Sequence, residues 1–153
     1  MLRLINEIRI YKQPDFDRSN PIVYRFVNNV ETDESWDDLT DTCTIVLPKK
    51  ATTKQRTITA GEKPLFTRGD KVDVYLGYYP KLELVFSGYI NTIGINTPIE
   101  LELEDEMFTL KRTLVKQYSA NDITLDTLMK NVLPASVKYV AVDETIEIGR
   151  AHV

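Results

Sequence analysis

The 153-residue chain has one cysteine and one histidine, so it can form neither an internal disulfide nor a zinc site built from Cys and His pairs. Glycine is scarce as well: six residues beside seven prolines exclude collagen-like and low-complexity chains. No apolar run approaches the roughly 20 residues that a transmembrane helix needs. Glu7 interrupts the N-terminal stretch where a secretion signal would carry its apolar core, so no signal peptide is read. Positive charge is in deficit. Against 23 Asp and Glu stand 19 Lys and Arg, and the net charge of −4 offers no general attraction to nucleic acid or to an anionic membrane. There is no Walker A motif, no G-x-G-x-x-G, no G-x-S-x-G and no H-E-x-x-H. These absences leave no catalytic residue, cofactor or metal to assign.

What is present is ordinary globular composition, 42% hydrophobic and 27% charged, at a length that suits one domain. Most of it alternates with the period of two of half-buried strands. Leu2, Leu4, Ile8 and Ile10 share one face of a first segment, with Arg3, Glu7 and Arg9 opposite; Ile22, Tyr24 and Phe26 begin a second. An acidic connection follows, with Glu31, Asp33, Glu34, Asp37, Asp38 and Asp41 around Trp36. Residues 40–47 are rich in Thr, Ile and Val and stop at Pro48. Residues 48–66 form a polar connection with Lys49, Lys50, Lys54, Arg56 and Lys63, longer than most loops.

Gly69-Asp70 marks a turn before Val72, Val74 and Leu76, and residues 77–80 mark another. Leu82, Leu84 and Phe86 lead a long strand into Ile90. The apolar phase then slips to Ile93 and Ile95, as a β-bulge would produce near Gly88 or Gly94. Ile99, Leu101 and Leu103 alternate cleanly with Glu100, Glu102 and Glu104. One helix stands out: Leu125, Leu128, Met129, Val132 and Leu133 make an apolar stripe, with Thr124 as N-cap and Pro134 as stop. Residues 137–142 read as a further strand. The pattern predicts a mainly β (α+β) fold, a small, strongly bent or split β-barrel of about seven strands with one late α-helix.

The ending Ile148-Gly149-Arg150-Ala151-His152-Val153 matches, in one reading frame, the translation of a widely used DNA-sequencing adapter followed by a stop codon. Residues 148–153 are therefore expected to be non-native, which makes the lone histidine an artefact and the remainder a truncated fragment of a longer product.

Several constellations have a chemical reading and a plainer one. Cys43 lies on the apolar phase with Ile45 and Leu47 and has no partnering base, so it reads as a packing thiol. Glu100, Glu102 and Glu104 stand about 7 Å apart along a strand, a spacing used by glycosidase carboxylates, but a solvated strand face has the same pattern. Arg68-Gly69-Asp70 spells an adhesion tripeptide, yet its place before a strand reads as a turn. The acidic residues from Asp33 to Asp41 lack the ordered ligand spacing of a calcium loop. Trp36 and the Tyr78-Tyr79 pair fall in predicted turns, where amphipathic aromatics serve interfaces.

Four stretches in order carry a resemblance: Trp36-Asp37-Asp38-Leu39-Thr40-Asp41-Thr42-Cys43-Thr44-Ile45-Val46-Leu47-Pro48; Phe66-Thr67-Arg68-Gly69-Asp70-Lys71-Val72-Asp73-Val74-Tyr75-Leu76-Gly77-Tyr78; Val85-Phe86-Ser87-Gly88-Tyr89-Ile90; and Leu101-Glu102-Leu103-Glu104-Asp105 leading to Leu110-Lys111-Arg112. In order and spacing they resemble the N-terminal barrel of the bacteriophage baseplate hub family, also called late control protein D, and are similar to the hub portion of type VI secretion spike proteins. The resemblance implies a hub-like barrel over residues 1–117 and a helix and strand beginning the next hub segment over 118–147. It implies a virion structural protein, not an enzyme: a homotrimer located in the phage tail baseplate and assembled in the bacterial cytoplasm. Its partners would be further copies of itself, a tail tube protein and a spike protein, with neither nucleic acid nor stable membrane insertion.

On that reading the candidate interface is Trp36, Asp37 and Asp38 of the acidic connection, Lys49, Lys50 and Lys54 of the 48–66 connection, and Tyr78 and Tyr79. The opposite charges of the two connections suit docking between subunits. Two alternatives are a carboxylate-dependent hydrolase of cell-wall glycans and an oligonucleotide-binding barrel. The second lacks aromatic residues among its lysines and has the wrong overall charge.

Overall fold

The alternating segments pair into one antiparallel sheet. A computed structural model describes residues 3–35, 37–48, 50–52, 57–59, 66–94, 98–114, 123–135, 137–140 and 145–146, with 50–52, 57–59 and 145–146 described by backbone pairing alone. It divides into two compact units, Met1–Phe108 and Thr109–Val153. In chain order the first unit has β1 (Leu4–Tyr11), β2 (Ile22–Tyr24), β3 (Asn29–Asp33), β4 (Thr42–Val46), β5 (Lys50–Thr52), β6 (Thr57–Thr59), β7 (Lys71–Tyr78), β8 (Lys81–Ile93) and β9 (Glu100–Glu104), and the short helix α1 (Met107–Leu110) follows across the boundary. Seven strands form the sheet β2-β1-β7-β8-β9-β4-β3, and β5 and β6 pair separately as a hairpin.

The fold is mainly β, and the sheet does not close, since β2 and β3 remain its edges. Its core face carries Ile8 and Ile10 of β1, Tyr24 of β2, Ile45 of β4, Val72 and Val74 of β7, Ile90 of β8, and Leu101 and Leu103 of β9, all essentially inaccessible to solvent. Seven strands laid flat would span roughly 29 Å, and no helical layer in the described part of this unit covers that face. Near-complete burial of one sheet face then requires the sheet to curl over itself, as the sequence pattern predicts. Phe66, just before β7, sets its ring edge-on to Tyr24 at 6.2 Å and fills the curl.

The register shows how β8 bends. Val74 pairs with Phe86 but Tyr75 pairs with Leu84, so Val85 is an extra residue; Ile90 pairs with Leu103 but Thr92 with Glu102, so Asn91 is another. The second irregularity is the phase slip read between Ile90 and Ile93. The first runs against the sequence reading, in which Leu82, Leu84 and Phe86 share a face. The extra Val85 turns Leu82 and Leu84 to the outer face and leaves Leu84 52% exposed. Between the two irregularities, Gly88 lets β9 approach closely: a Cβ there would lie 2.2 Å from the Glu104 carbonyl oxygen.

Other expectations are corrected. Leu4 and Phe26 are not core residues: β2 ends at Tyr24, leaving Phe26 75% exposed, and Leu4 is 67% exposed at the far end of β1. Part of the acidic connection is a strand, β3, whose outer positions Glu31 and Asp33 face solvent at the sheet edge. The 48–66 connection contains the β5–β6 hairpin, pairing Lys50 with Thr59 and Thr52 with Thr57.

The second unit contains β10 (Ile123–Thr124), α2 (Leu125–Val132) and β11 (Thr145–Ile146), with β10 and β11 antiparallel. The Thr124 hydroxyl accepts from Thr127 N at 3.3 Å, making it the N-cap as read, and the helix ends before Pro134. Residues 137–140 do not form the expected strand. Val137 N closes a turn onto Pro134 O, and the Tyr139 hydroxyl donates to Asp126 on α2 at 3.0 Å, which turns this segment toward the helix. Residues 148–153 lie outside the described residues.

Gly88→Ala should lower unfolding free energy by about 1–3 kcal/mol because backbone, not a side chain, must yield. Gly94→Ala, whose Cβ meets only contacts of 3.3 Å and beyond, should stay within about 1 kcal/mol of the parent. Urea denaturation of both variants checks this contrast.

Candidate interaction surface

The long strands outrun their neighbours, and that creates the surface. β2 pairs with β1 only across Ile8–Ile10, and β9 pairs with β8 only across Tyr89–Ile93. The remaining lengths of β1, β7 and β8 continue as a three-stranded ribbon, with Leu4 opposite Tyr78, Asn6 opposite Leu76, Gly77 opposite Leu82 and Leu76 opposite Glu83. Among the described residues, neither the 4–6 edge of β1 nor the 81–86 edge of β8 has a further strand beside it. The Tyr79 amide donates to Arg3 O at 2.9 Å and holds the tip together.

Register assigns the side chains. Leu4, Asn6, Leu76, Tyr78, Lys81 and Glu83 continue the core face; Ile5, Tyr75, Leu82 and Leu84 lie on the other. Leu4, Leu76, Gly77, Tyr78, Lys81 and Glu83 line an open depression of about 370 Å³. Nine large hydrophobic residues are conspicuously exposed among the described residues, and five of them, Leu4, Tyr78, Tyr79, Leu84 and Val85, belong to this ribbon and its tip. Such a concentration on one element marks an interaction surface better than single exposed apolar residues do.

A polar network anchors the ribbon base on the outer face. Glu7 accepts from Arg9 Nε at 2.7 Å and Arg25 Nε at 3.2 Å, and Arg9 lies over the Tyr75 ring at 4.4 Å. Burial alone would raise the Glu7 carboxyl, but hydrogen bonds and charge from Arg9 and Arg25 outweigh it and hold the group below its ordinary value. Beside it, buried Asp73 accepts from Ser87 Oγ at 2.6 Å and faces Arg18 Nη1 at 3.6 Å. One strand-end further, Asp70 is fully buried and accepts from Lys12 Nζ at 2.8 Å, Thr67 N at 2.8 Å and Gln13 N at 3.1 Å. It ties the connection after β1 to the turn before β7, where Gly69 adopts a φ of 91°.

The predicted interface residues are only partly brought together. Tyr78 and Tyr79 sit on the ribbon tip, 56% and 70% exposed. Asp37 and Asp38 are exposed on the connection between β3 and β4, where Asp37 N donates to Ser35 Oγ. Lys50 begins β5. Trp36, Lys49 and Lys54 lie outside the described residues. Sequence reasoning missed Leu4, Ile5, Leu76, Leu82, Leu84 and Val85 as surface, because alternation alone assigned most of them to the core. The detectable signal was Leu84-Val85-Phe86, three consecutive apolar residues that no single alternating face accommodates.

The other constellations resolve toward their plainer readings. Cys43 is buried, and burial pushes its thiol up to about 12, so it remains protonated. The adhesion-like tripeptide offers no free carboxylate, since Asp70 is sealed inside. Glu100 and Glu102 are exposed on the outer face of β9, and half-buried Glu104 accepts from Asn91 Nδ2 at 2.9 Å. Among the described residues no three His, Cys, Asp or Glu side chains group closely enough to hold a metal ion. The geometry thus defines an open, curled β-sheet with an apolar ribbon end. The chain matches no protein-family model and no curated protein sequence.

The Glu7 network predicts a pH dependence. A carboxyl lowered on folding contributes stability above its unfolded value near 4.5, and loses it as pH falls through the folded value. Glu7→Gln should cost about 1–2 kcal/mol at neutral pH and should flatten the acid side of the stability curve. Urea midpoints measured between neutral pH and pH 3 test both effects.

Proposed function

We propose that this chain is a structural subunit of a bacteriophage tail baseplate hub, or of a related phage-derived contractile injection apparatus, contributing one barrel to a ring that connects the tail tube to the spike. The observation that carries the reading is the apolar ribbon with two edges unpaired among the described residues, a surface suited to burial in an assembly. The four ordered sequence stretches resembling the hub barrel supply the kind of assembly. Its partners on this reading are copies of itself, a tail tube protein and a spike protein, and its location is the virion. No helix among the described residues is long and apolar enough to cross a membrane.

Charge adds a second contact to this reading. Glu31, Asp33, Asp37 and Asp38 are exposed along the β3 edge and the connection after it. The lysine-bearing 48–66 connection supplies the opposite sign for a neighbouring subunit.

The test mixes the purified chain with the tube and spike proteins encoded beside it and examines the products by electron microscopy. Rings bridging tube and spike are expected. Release of glycan fragments from purified cell wall, with no assembly, would replace this reading with the hydrolase alternative. Asp37→Asn combined with Asp38→Asn should reduce ring yield most at low ionic strength, because exposed charge pairs are screened within about 10 Å at 0.1 M salt. Ring yields in the double variant that match the parent at every salt concentration would remove the charge contact.

A further inference from the structure

Among the described residues the ribbon edges have no neighbouring strand, and the direction of the ribbon's strands limits what can complete it. β1 and β8 each run antiparallel to β7, so they run parallel to each other. A second copy laid alongside in the same orientation sets its β1 edge against the first copy's β8 edge, and each copy keeps one edge of each kind for the next. We propose that copies of this chain join head to tail through the ribbon, the 81–86 edge of β8 in one copy pairing with the 4–6 edge of β1 in the next. The inference rests on the ring reading above and supplies a contact that would build it.

Three observations favour a second copy over an unrelated strand. First, the ribbon carries apolar residues on both faces, with Ile5, Leu82 and Leu84 on one and, on the other, Leu4, Leu76 and Tyr78 beside Asn6 and the Lys81–Glu83 pair. An ordinary half-buried strand alternates apolar and polar positions and would satisfy one face only. This chain's own β1 edge offers adjacent apolar residues pointing both ways, Leu4 and Ile5, and its β8 edge offers Leu82 and Leu84 on the outer face.

Second, Asn6 Oδ1 is shielded from solvent and has no hydrogen-bond partner among the described residues, an arrangement that costs stability until a donor arrives. Lys81 stands on the same face of the ribbon's opposite edge, where its exposed ammonium pairs with Glu83 at 2.7 Å and keeps two further N–H donors. In a head-to-tail row, the Lys81 ammonium of one copy is the donor that reaches the next copy's Asn6. Third, the β3 edge carries exposed Glu31 and Asp33, like charges that oppose pairing with another strand, whereas the β8 ribbon edge carries Leu82 and Leu84 beside Lys81 and Glu83, whose opposite charges pair with each other.

Paired cysteines test the contact. Ile5→Cys with Leu82→Cys, and Ile5→Cys with Leu84→Cys, place thiols on one face at two neighbouring registers. Native Cys43 is buried and is replaced by serine as a control. Under oxidation or a short bis-maleimide linker, a ladder of covalent dimers and larger species is expected from at least one double variant, and none from the three single variants. Head-to-tail pairing would be overturned by dimers from a single variant, which require two-fold packing of like edges. Rings seen by microscopy without a ladder in either double variant would overturn the ribbon contact and leave the ring reading standing. A ladder without closed rings would support the ribbon contact and count against the ring.

Leu84→Arg is the companion variant. At an exposed site it should keep the parent's circular dichroism and urea midpoint while abolishing the concentration-dependent rise in sedimentation coefficient. Unchanged association in that variant would also overturn the proposal.

Discussion

One sheet face must be hidden with no second layer among the described residues of the first unit to hide it, and the rest of that unit follows from this constraint. β8 meets it by serving two neighbours along its thirteen residues, β7 from its first residue and β9 only from Tyr89 onward. Extra residues at Val85 and Asn91 and the missing side chain at Gly88 let the strand change course between these roles. The curl gathers Ile8, Ile45, Val72 and Leu103 from separate strands into one core. The lengths of β1, β7 and β8 that lie beyond it project as the ribbon. Core and ribbon are two consequences of a single bend.

Buried carboxylates then fix what the apolar core leaves free. Core packing specifies which face is inside but says little about where long connections lie. Asp70 gathers Lys12, Gln13 and Thr67, and Asp73 meets Ser87 and Arg18. Phe16 reaches Tyr89 edge-on at 5.9 Å, while Tyr89 stacks on Phe108 at 5.5 Å. Together these contacts secure the connection after β1 against the outer face of the same strands that form the ribbon. A buried carboxylate without such partners would carry a large desolvation cost, so the network is strongly tied to one arrangement.

Much of the fold was legible in local pattern. The alternation of Leu101 and Leu103 with the three glutamates, the stop at Pro48, the helix stripe with its Thr124 cap, and the slip after Ile90 all mark features that the structure contains. The candidate site was legible only at Tyr78 and Tyr79, which turn chemistry placed at a tip. Its apolar remainder was not, because the same alternation that identifies a strand assigns Leu4, Leu82 and Leu84 to a core. Whether such residues are covered depends on strands distant in sequence, here β2 and β9, and on how far along β1 and β8 those strands extend.

The sequence by itself determined that this chain would be a β-rich protein with one late amphipathic helix, because periodicity and capping are properties of neighbouring residues. It also determined that Cys43 would pack rather than react. Tertiary structure decided which apolar residues remain uncovered, that the sheet stays open between β2 and β3, and that the carboxylate of Arg68-Gly69-Asp70 is sealed inside. Those outcomes depend on register and strand overlap between segments tens of residues apart. A single inserted residue at Val85 is enough to move two leucines from one face of the sheet to the other.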